Sequence, residues 1–238
     1  MSGTQSKAKL VRILGFSQSV QNGLGAYAVG VWSFDEGSGT TAKDGSGYGS
    51  DGAINGAIYS SDTPHLAAGR GTGKYALSFD GSNDYVSTPI TSAAYTAVTE
   101  EVWIKADTGD WHGRIVTKGG GRFSLQKFTT NTIIWELSTA GGNLGTSFRA
   151  NFQENVWTHV VVTYDGSTAK LYINGELKKT QGGLSGAIVD IGDNLTIGAD
   201  NGGGYAFRGL IDEVRIYEKA LALGQIQQHY AEGLERKL

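Results

Sequence analysis

The spacing of apolar residues changes near Tyr27, from a helical period before it to a period of two after it. Beyond Tyr27, turn residues recur every eight to twelve residues, which is the spacing of an all-β sandwich or barrel. Many short strands with no helices between them predict two packed antiparallel sheets. We expect strands near residues 28–34, 53–59, 75–80, 84–88, 97–105, 113–118, 122–127, 132–138, 145–150, 157–164, 169–174, 194–198 and 207–217.

A central hairpin shows this pattern most clearly. Residues 157–164 carry β-branched or aromatic side chains on both faces, which predicts a strand inside a sheet. Asp165-Gly166 then reverses the chain, and residues 170–174 run back. The tryptophans that fall within strands are expected in the core: Trp32, Trp103, Trp135 and Trp157.

Helical periodicity is confined to the two ends of the chain. Leu10, Leu14, Val20 and Leu24 lie near one helical face, so we expect an N-terminal helical extension over residues 1–26. A single domain over residues 27–238 follows, because no Pro-rich or Ser-rich linker interrupts it. Its last residues predict a short C-terminal helix with an apolar stripe of Leu221, Ile226 and Tyr230.

The composition excludes several classes of function. With a net charge of −3 over 238 residues, we do not expect non-specific electrostatic binding to nucleic acid or to an anionic membrane. Without cysteine, neither a disulfide scaffold nor a zinc-thiolate site forms. No stretch approaches the roughly 18 apolar residues of a membrane-spanning helix. We therefore expect the chain to be stabilised by its core, with an oxygen-ligated metal as the remaining option.

Six stretches, in order, resemble the laminin-G-like jelly-roll domain of the concanavalin A-like lectin/glucanase superfamily. They cover about residues 29–233 and read VWSFDEGSGTTAKDGSGYGSDGAI, ALSFDGSNDYV, EVWIKA, WTHVVVTYDGSTAKLYINGEL, LTIGA and FRGLIDEVRIYEKAL. The resemblance implies a two-sheet antiparallel jelly roll, often with one bound calcium. It also implies a role in carbohydrate or protein binding and adhesion, at an extracellular or cell-surface location.

A second resemblance concerns the N-terminus. The stretch LVRILGFSQSVQNGLGAYAVGVWSFDEGSG is similar to the stalk junction of type IV pilin-like or pseudopilin proteins that carry such a jelly-roll head. It implies an alternative function, in which the chain is a structural filament subunit that self-assembles through its N-terminal helix.

Acidic, glycine-rich turns are the candidate calcium ligands. Calcium takes 6–8 oxygen ligands, and glycine lets backbone carbonyls bend inward to supply some of them. In the related folds the first and last strands lie side by side, so Asp35 and Asp212 can approach a common ion. The alternative is that Asp35 and Asp44 only cap turns, while Asp212 pairs with Arg215 or Arg208. The predicted metal ligands are Asp35, Glu36, Asp44 and Asp212.

Aromatic and planar polar residues in loops are the candidate ligand-binding groups. Sugars stack their apolar faces on aromatic rings, and polar side chains bond their hydroxyls. Trp111 follows Thr108-Gly109-Asp110, so we expect it exposed at a loop tip, while the acidic turn at residues 80–84 predicts a tight hairpin. The predicted ligand-binding residues are Trp111, His112, Lys118, Arg122, Asn201, Tyr205 and Arg208.

Catalysis finds little support in the sequence. A glycosidase needs two carboxyl groups held across its substrate, one of them with a raised pKa. The alternating Glu-x-Asp-x-x-Glu that the resemblance implies for glucanases is missing, and the adjacent Glu100 and Glu101 point to opposite faces of a strand. We therefore expect a non-enzymatic extracellular domain that binds a glycan or a protein, with a glycoside hydrolase as the less favoured alternative.

Overall fold

The computed structural model describes residues 24–64, 75–91, 94–119, 122–190 and 192–235, and it confirms the predicted two-sheet antiparallel sandwich. One short helix, α1 (Leu223–Glu235), follows the last strand. The strands are β1 Ala28–Trp32, β2 Thr41–Ala42, β3 Gly52–Asn55, β4 Ile58–Ser60, β5 Ala76–Asp80, β6 Tyr85–Ser87, β7 Val98–Ala106, β8 Gly113–Lys118, β9 Phe123–Thr129, β10 Thr132–Thr139, β11 Gly142–Asn143, β12 Arg149–Asn151, β13 Thr158–Tyr164, β14 Ala169–Ile173, β15 Glu176–Gln181, β16 Thr196–Ile197 and β17 Arg208–Tyr217.

The strands form two sheets, which we call sheet A and sheet B. Sheet A has eight described strands in the order β15-β14-β13-β7-β17-β5-β4, with β1 also pairing with β17. Sheet B has nine, in the order β11-β10-β9-β8-β16-β6-β3-β2, with β12 also pairing with β10. The central strand β13 is buried along its whole length, as the alternation predicted, because β7 and β14 flank it in sheet A.

The structure corrects the predicted strands in several places. The short strands β2 and β11 were not predicted, and the strand expected at 145–150 is the shorter β12. The single strand expected at 53–59 is split between the sheets at Gly56, which has φ +80 and would place a Cβ only 1.9 Å from Asp84 Oδ1. The edge strand β15 was not predicted, because its residues are mostly charged or polar and it lacks an apolar face. It follows a turn in which Asn174 and Gly175 both have positive φ, as a type I′ turn requires.

The core lies between the sheets and contains Trp32 and Trp135, while Trp103 and Trp157 are buried in a smaller cluster under α1. All four tryptophans expected to be buried are buried. Within β7, Val102 and Ile104 belong to the main core, whereas the alternate residue Trp103 does not. The strand is therefore covered on both faces.

Glu100 and Glu101 lie on opposite faces of β7, as their adjacency predicted. Glu100 lies fully buried in the core, where Trp135 Nε1 donates a 2.8 Å hydrogen bond to its Oε1. Its Oε2 is a buried atom without a hydrogen-bond partner. Burial raises the pKa of Glu100 to about 8, although the Trp135 hydrogen bond opposes the shift.

Glu101 lies on the outer face of sheet A, beneath α1, and it is fully buried. Its Oε1 accepts hydrogen bonds from Arg215 Nη1 at 2.9 Å and His159 Nε2 at 3.0 Å. His229 on α1 donates from Nδ1 to Oε2 at 2.7 Å. Burial alone would raise the pKa of Glu101, but the charges of His229 and Arg215 and these hydrogen bonds hold it well below its usual range.

The helix α1 covers this face with the apolar stripe that the sequence predicted. Ile226 packs in a cluster with Leu24 and Tyr217, and Tyr230 stacks on Trp103 with 5.7 Å between ring centroids. At the start of the helix, Gln225 Oε1 accepts a 2.9 Å bond from the backbone N–H of Ala222, which half-completes a capping box.

We predicted an N-terminal helical extension over residues 1–26. Its residues 1–23 lie outside the described part of the chain. Self-assembly through that helix and the domain boundary near residue 27 therefore stay predictions. Of the segment, Leu24 is described and packs under α1. In the described part of the chain, no helix is long and apolar enough to cross a membrane.

We predict that Glu100→Gln stabilises the protein in a pH-dependent way. A folded-state pKa of about 8, above the ordinary glutamate value of 4.5, means that the group favours folding below pH 4.5 and progressively less as the pH rises to 8. The amide cannot ionise, so Glu100→Gln should add on the order of 3 kcal/mol at pH 7 and nothing at pH 4. Urea denaturation at both pH values measures this, and an equal effect at both would contradict it.

We predict that Glu101→Gln destabilises the protein by about 3–5 kcal/mol, because it removes the buried carboxylate that pairs with Arg215, His159 and His229 and leaves Glu213 as the remaining carboxylate partner of Arg215. The matched control is Glu176→Gln, which removes an exposed ion pair with Lys178 and should leave the urea midpoint unchanged. Similar midpoints for the two variants would show that the buried pair does not hold α1 in place.

Candidate functional site

A row of polar side chains lies on the outer face of sheet B, the face turned away from sheet A. Paired residues of antiparallel strands share a face, and Arg114 on β8 lies opposite Gln126 on β9. Likewise Thr117 lies opposite Ser124, and Ser124 opposite Glu136 on β10. The alternate residues of β9 and β10, such as Leu125 and Trp135, face the core. We call this set of five polar residues the polar row.

Arg114 is the centre of the polar row. Its Nη1 donates to Ser124 Oγ at 2.9 Å, to Gln126 Oε1 at 2.8 Å and to Glu136 Oε2 at 3.2 Å. Its Nε forms an ion pair with Asp200 Oδ1 at 3.2 Å, although the angles are not those of a hydrogen bond. Burial raises the pKa of Asp200, and the Arg114 charge opposes that shift.

Several polar atoms in and beside the polar row are buried without a hydrogen-bond partner. Of six such side-chain atoms found among the described residues, four are here: Arg114 Nε, Thr117 Oγ1, Gln126 Nε2 and Asp200 Oδ1. A buried donor or acceptor that makes no hydrogen bond costs about 1–3 kcal/mol. Two of these atoms, Arg114 Nε and Asp200 Oδ1, lie 3.2 Å apart as an ion pair, so the charges of this cluster are paired while its hydrogen bonding is incomplete.

Two aromatic side chains form a wall in front of the polar row. The Tyr205 ring centroid lies 5.2 Å from Arg114 Cζ and 5.1 Å from the His112 ring. His112 Nε2 hydrogen bonds to Gln126 Oε1. Tyr205 is 58% exposed and has φ +51, a strained conformation for a residue with a side chain. Strain of this kind tends to occur at binding sites.

The wall faces an open groove of about 490 Å³. The turn at residues 80–84 forms the other side, and Gly203 fits against it closely, since a Cβ on Gly203 would lie 3.0 Å from Asn83. This turn links β5 in sheet A to β6 in sheet B, so the predicted hairpin is wrong. The groove is lined by Asp80, Gly81, Ser82, Trp111, His112, Gly203, Gly204, Tyr205, Ala206 and Arg208.

Four of the seven predicted ligand-binding residues meet in this groove: Trp111, His112, Tyr205 and Arg208. Asn201 is in the same loop but does not line the groove. Lys118 is buried in an ion pair with Asp190, and Arg122 is exposed beyond the end of β8. Neither of these two cations lines the groove.

Trp111 is not the exposed platform that its position after a glycine turn predicted. Its Nε1 donates to Asp107 O at 3.2 Å, and Lys127 Nζ lies 4.1 Å from its ring centroid. Phe207 packs edge-on against it at 5.4 Å. Because these neighbours occupy the indole, Tyr205 provides the exposed ring instead.

The sequence analysis missed Ser124, Gln126 and Glu136. Their signal is present in the strand FSLQKFT, where Ser124 and Gln126 alternate with the core residues Phe123 and Leu125. Polar residues at alternate positions of a strand are usually an ordinary solvated face. Only the structure shows that Ser124 and Gln126 are buried and that all three residues are joined to Arg114.

The four predicted calcium ligands do not gather into one site. Strands β1 and β17 do lie side by side, but Asp35 Oδ1 accepts a bond from Tyr75 N. Asp212 is buried at a bulge of β17, and its Oδ1 accepts from Glu213 N. Arg215 pairs with glutamates and not with Asp212. Within the described ranges, no three His, Cys, Asp or Glu side chains are placed to hold a metal ion.

Asp44 instead fixes a loop. Its Oδ1 accepts from the backbone N–H groups of Val31 and Ser46, and its Oδ2 accepts from Ser46 Oγ and Ser50 N, all at 2.7–3.0 Å. Burial alone would raise the pKa of Asp44, but these hydrogen bonds outweigh burial and lower it. Glu36 similarly accepts from Lys43 N and from Tyr59 Oη. Calcium binding stays a prediction, and these residues do not fit a shared site for it.

The chain belongs to the concanavalin A-like lectin/glucanases superfamily, because the laminin G-like family model of that superfamily matches residues 79–227. The adhesion G-protein coupled receptor V1 of Danio rerio is similar, with 29% identity over 144 residues, or 55% of this chain and 2% of the receptor.

Solved structures of toxin binding domains share the fold. The binding domain of botulinum neurotoxin serotype D has a TM-score of 0.66 and 17% identity, covering 88% of this chain and 52% of its own. That of Paraclostridial Mosquitocidal Protein 1 has a TM-score of 0.66 and 13% identity, covering 87% and 52%. The chain thus spans about half of each. At this identity the likeness establishes the fold, and together with the family it supports a non-enzymatic binding domain.

We predict that Asp44→Ala lowers the melting temperature equally in calcium and in EGTA, at a cost of about 1–3 kcal/mol, because the lost partners are backbone and serine donors. Thermal unfolding of wild type, Asp44→Ala and Asp212→Ala in both media measures this. If calcium raised the wild-type melting temperature and both variants lost that response, the shared calcium site would be established and this account of Asp44 would be wrong.

Proposed function

We propose that this domain is a non-catalytic carbohydrate-binding module of extracellular proteins, and that the groove in front of the polar row is its ligand site. The observation that carries the proposal is the exposed Tyr205 ring, held at a strained φ beside Arg208 and in contact with a buried polar row. An aromatic ring offers a stacking surface for the apolar face of a sugar, and planar polar groups next to it bond the hydroxyls.

The groove has the polar groups that such a ligand needs. Arg208 is exposed, and its Nε donates to Asp107 Oδ2 at 3.0 Å, which fixes the guanidinium at one end. Asp80 and Ser82 lie across from it, so donors and acceptors are both present. The groove volume of about 490 Å³ is within the usual range of roughly 300–1,000 Å³ for small-molecule sites.

The polar row adds a second layer behind the wall. Its atoms without partners have less than 1 Å² exposed, so they do not line the groove. They contact it through Tyr205 and His112, which lie against Arg114 and Gln126. Because some buried atoms of the polar row make no hydrogen bond, its hydrogen bonding can change when a ligand fixes Tyr205 and His112 in place.

The geometry gives little support to hydrolysis. Glu100 faces the core and Glu101 the opposite outer face, so neither reaches the groove. Asp200 and Glu136 both interact with Arg114 and are occupied by that cation. A glycosidase needs its two carboxyl groups open to the substrate on either side of the bond that breaks. Binding without turnover is therefore the function that we propose.

A protein ligand is the alternative for this class. One neighbour by fold is titled as the binding domain of botulinum neurotoxin DC in complex with rat synaptotagmin II, with a TM-score of 0.63. That chain is 15% identical and the match covers 52% of it, so its partner does not transfer to this chain. We favour a glycan because the groove is lined by polar groups and by aromatic rings.

We predict that a glycan array will show binding by the wild type and at least about fivefold weaker binding by Tyr205→Ala, because stacking on one ring is worth about 1 kcal/mol or more. Tyr205→Phe keeps the ring and should bind like the wild type. No reducing sugar should be released from any glycan that is bound.

The matched control is Tyr48→Ala, since Tyr48 is 67% exposed in another glycine-rich loop and does not line the groove. This variant should bind as the wild type does. If no glycan bound, or if Tyr205→Ala bound with unchanged affinity, the groove would not be a carbohydrate site.

A further inference from the structure

A second pocket, of about 220 Å³, lies beside the start of β1 and shares no residue with the groove. Its volume is below the roughly 300 Å³ at which drug-sized sites begin, so it suits a small chemical group. It is lined by Ala26, Tyr27, Ala28, Val29, Tyr48, Ser50, Tyr95 and Glu218. Three of these residues are tyrosines, one is a carboxylate, and none is cationic.

The tyrosines are held in place by hydrogen bonds of the surrounding chain. Asp44 fixes the loop that carries Tyr48, through bonds from Ser46 and Ser50 on either side of it. Positive φ angles at Gly47 and Gly49 turn that loop outward and leave Tyr48 67% exposed. The loop therefore holds the Tyr48 ring exposed to solvent.

The backbone of Glu218 is held beside the first tyrosine, and its side chain lines the pocket. The backbone N–H of Glu218 donates to Tyr27 O at 2.8 Å, where the end of β17 meets the segment before β1. Tyr27 is itself 44% exposed. Aromatic rings next to a carboxylate create a region of negative potential, because the face of an aromatic ring carries the negative part of its quadrupole.

Two features of the surrounding residues agree with this negative potential. Lys219 Nζ lies 4.5 Å from the centroid of the Tyr27 ring, so that ring already attracts an ammonium group of this chain. Burial, together with the negative charges of Glu218 and Asp190, raises the pKa of Tyr95 to about 12. Both effects favour a cation in this neighbourhood and oppose an anion.

We propose that this tyrosine pocket binds a small quaternary ammonium group. A methylated ammonium suits it better than a bare one, because its methyl groups contact ring faces while its charge, which is only weakly hydrated, interacts with the rings and the Glu218 carboxylate. This site is independent of the carbohydrate groove, and either proposal can fail without the other.

The test is titration calorimetry of the full chain with choline, and with 3,3-dimethyl-1-butanol as an uncharged compound of the same shape. We expect choline to bind in the millimolar range and the neutral compound to bind about tenfold more weakly. Equal affinities would overturn the proposal, since they would show an apolar pocket without selectivity for charge. No binding of choline would overturn it as well.

Variants assign the binding to this pocket. Tyr48→Ala should abolish measurable choline binding, whereas Tyr48→Phe keeps the ring face and should retain it. Glu218→Gln should weaken binding several-fold by removing the charge. Melting temperatures confirm that the variants fold, which the exposure of Tyr48 leads us to expect. Choline binding that Tyr48→Ala leaves unchanged would place the site elsewhere and contradict the proposal.

Discussion

Each sheet of this sandwich buries a charge on its outer face, and the way that charge is neutralised determines what the face can do. In sheet A the charge is Glu101, whose two oxygens together accept from Arg215, His159 and His229. Because His229 belongs to α1, the same carboxylate ties the helix to the sheet. The carboxylate has no exposed surface beneath α1, and the role of this cluster is stability.

In sheet B the buried charge is Arg114, which is paired with Glu136 and Asp200, but its hydrogen bonding is incomplete. Glu136, Ser124 and Gln126 satisfy one end of the guanidinium, while Nε and the facing Asp200 oxygen make no hydrogen bond of good geometry. No helix is described over this row, and the wall in front of it is a strained, exposed tyrosine. The contrast between the two faces is the physical reason for placing the ligand site on sheet B.

The alternation of apolar and polar residues was enough to predict the sandwich, the central hairpin and the burial of the tryptophans, because burial on a sheet face follows period two directly. It could not predict β15, whose edge position needs no apolar face, or the split at Gly56, which depends on the distant Asp84. The exposure predicted for Trp111 was wrong for a similar reason. A glycine turn predicts a loop, but it does not predict that Lys127 and Phe207 cover the indole ring there.

Candidate sites were harder to predict, because an acidic turn that binds calcium and one that only fixes a loop have the same sequence pattern. Asp44 lies in a glycine-rich turn like a calcium ligand, yet three donors of its own loop and one of β1 occupy it. In the loops, by contrast, planar polar and aromatic residues far apart in sequence, His112 and Arg208 among them, do meet in one groove. That Arg114 is the centre of the polar row is evident only from its contacts across three strands in the structure.

The most direct test of the central claim is an NMR titration that follows the side-chain N–H signals of Arg114 Nε and Gln126 as the glycan selected on an array is added. If the groove is the site, these two signals shift together with those of Tyr205, while the Trp135 indole signal in the core stays constant. If the glycan binds and the Arg114 and Gln126 signals do not move, the ligand lies elsewhere and the account of sheet B is wrong.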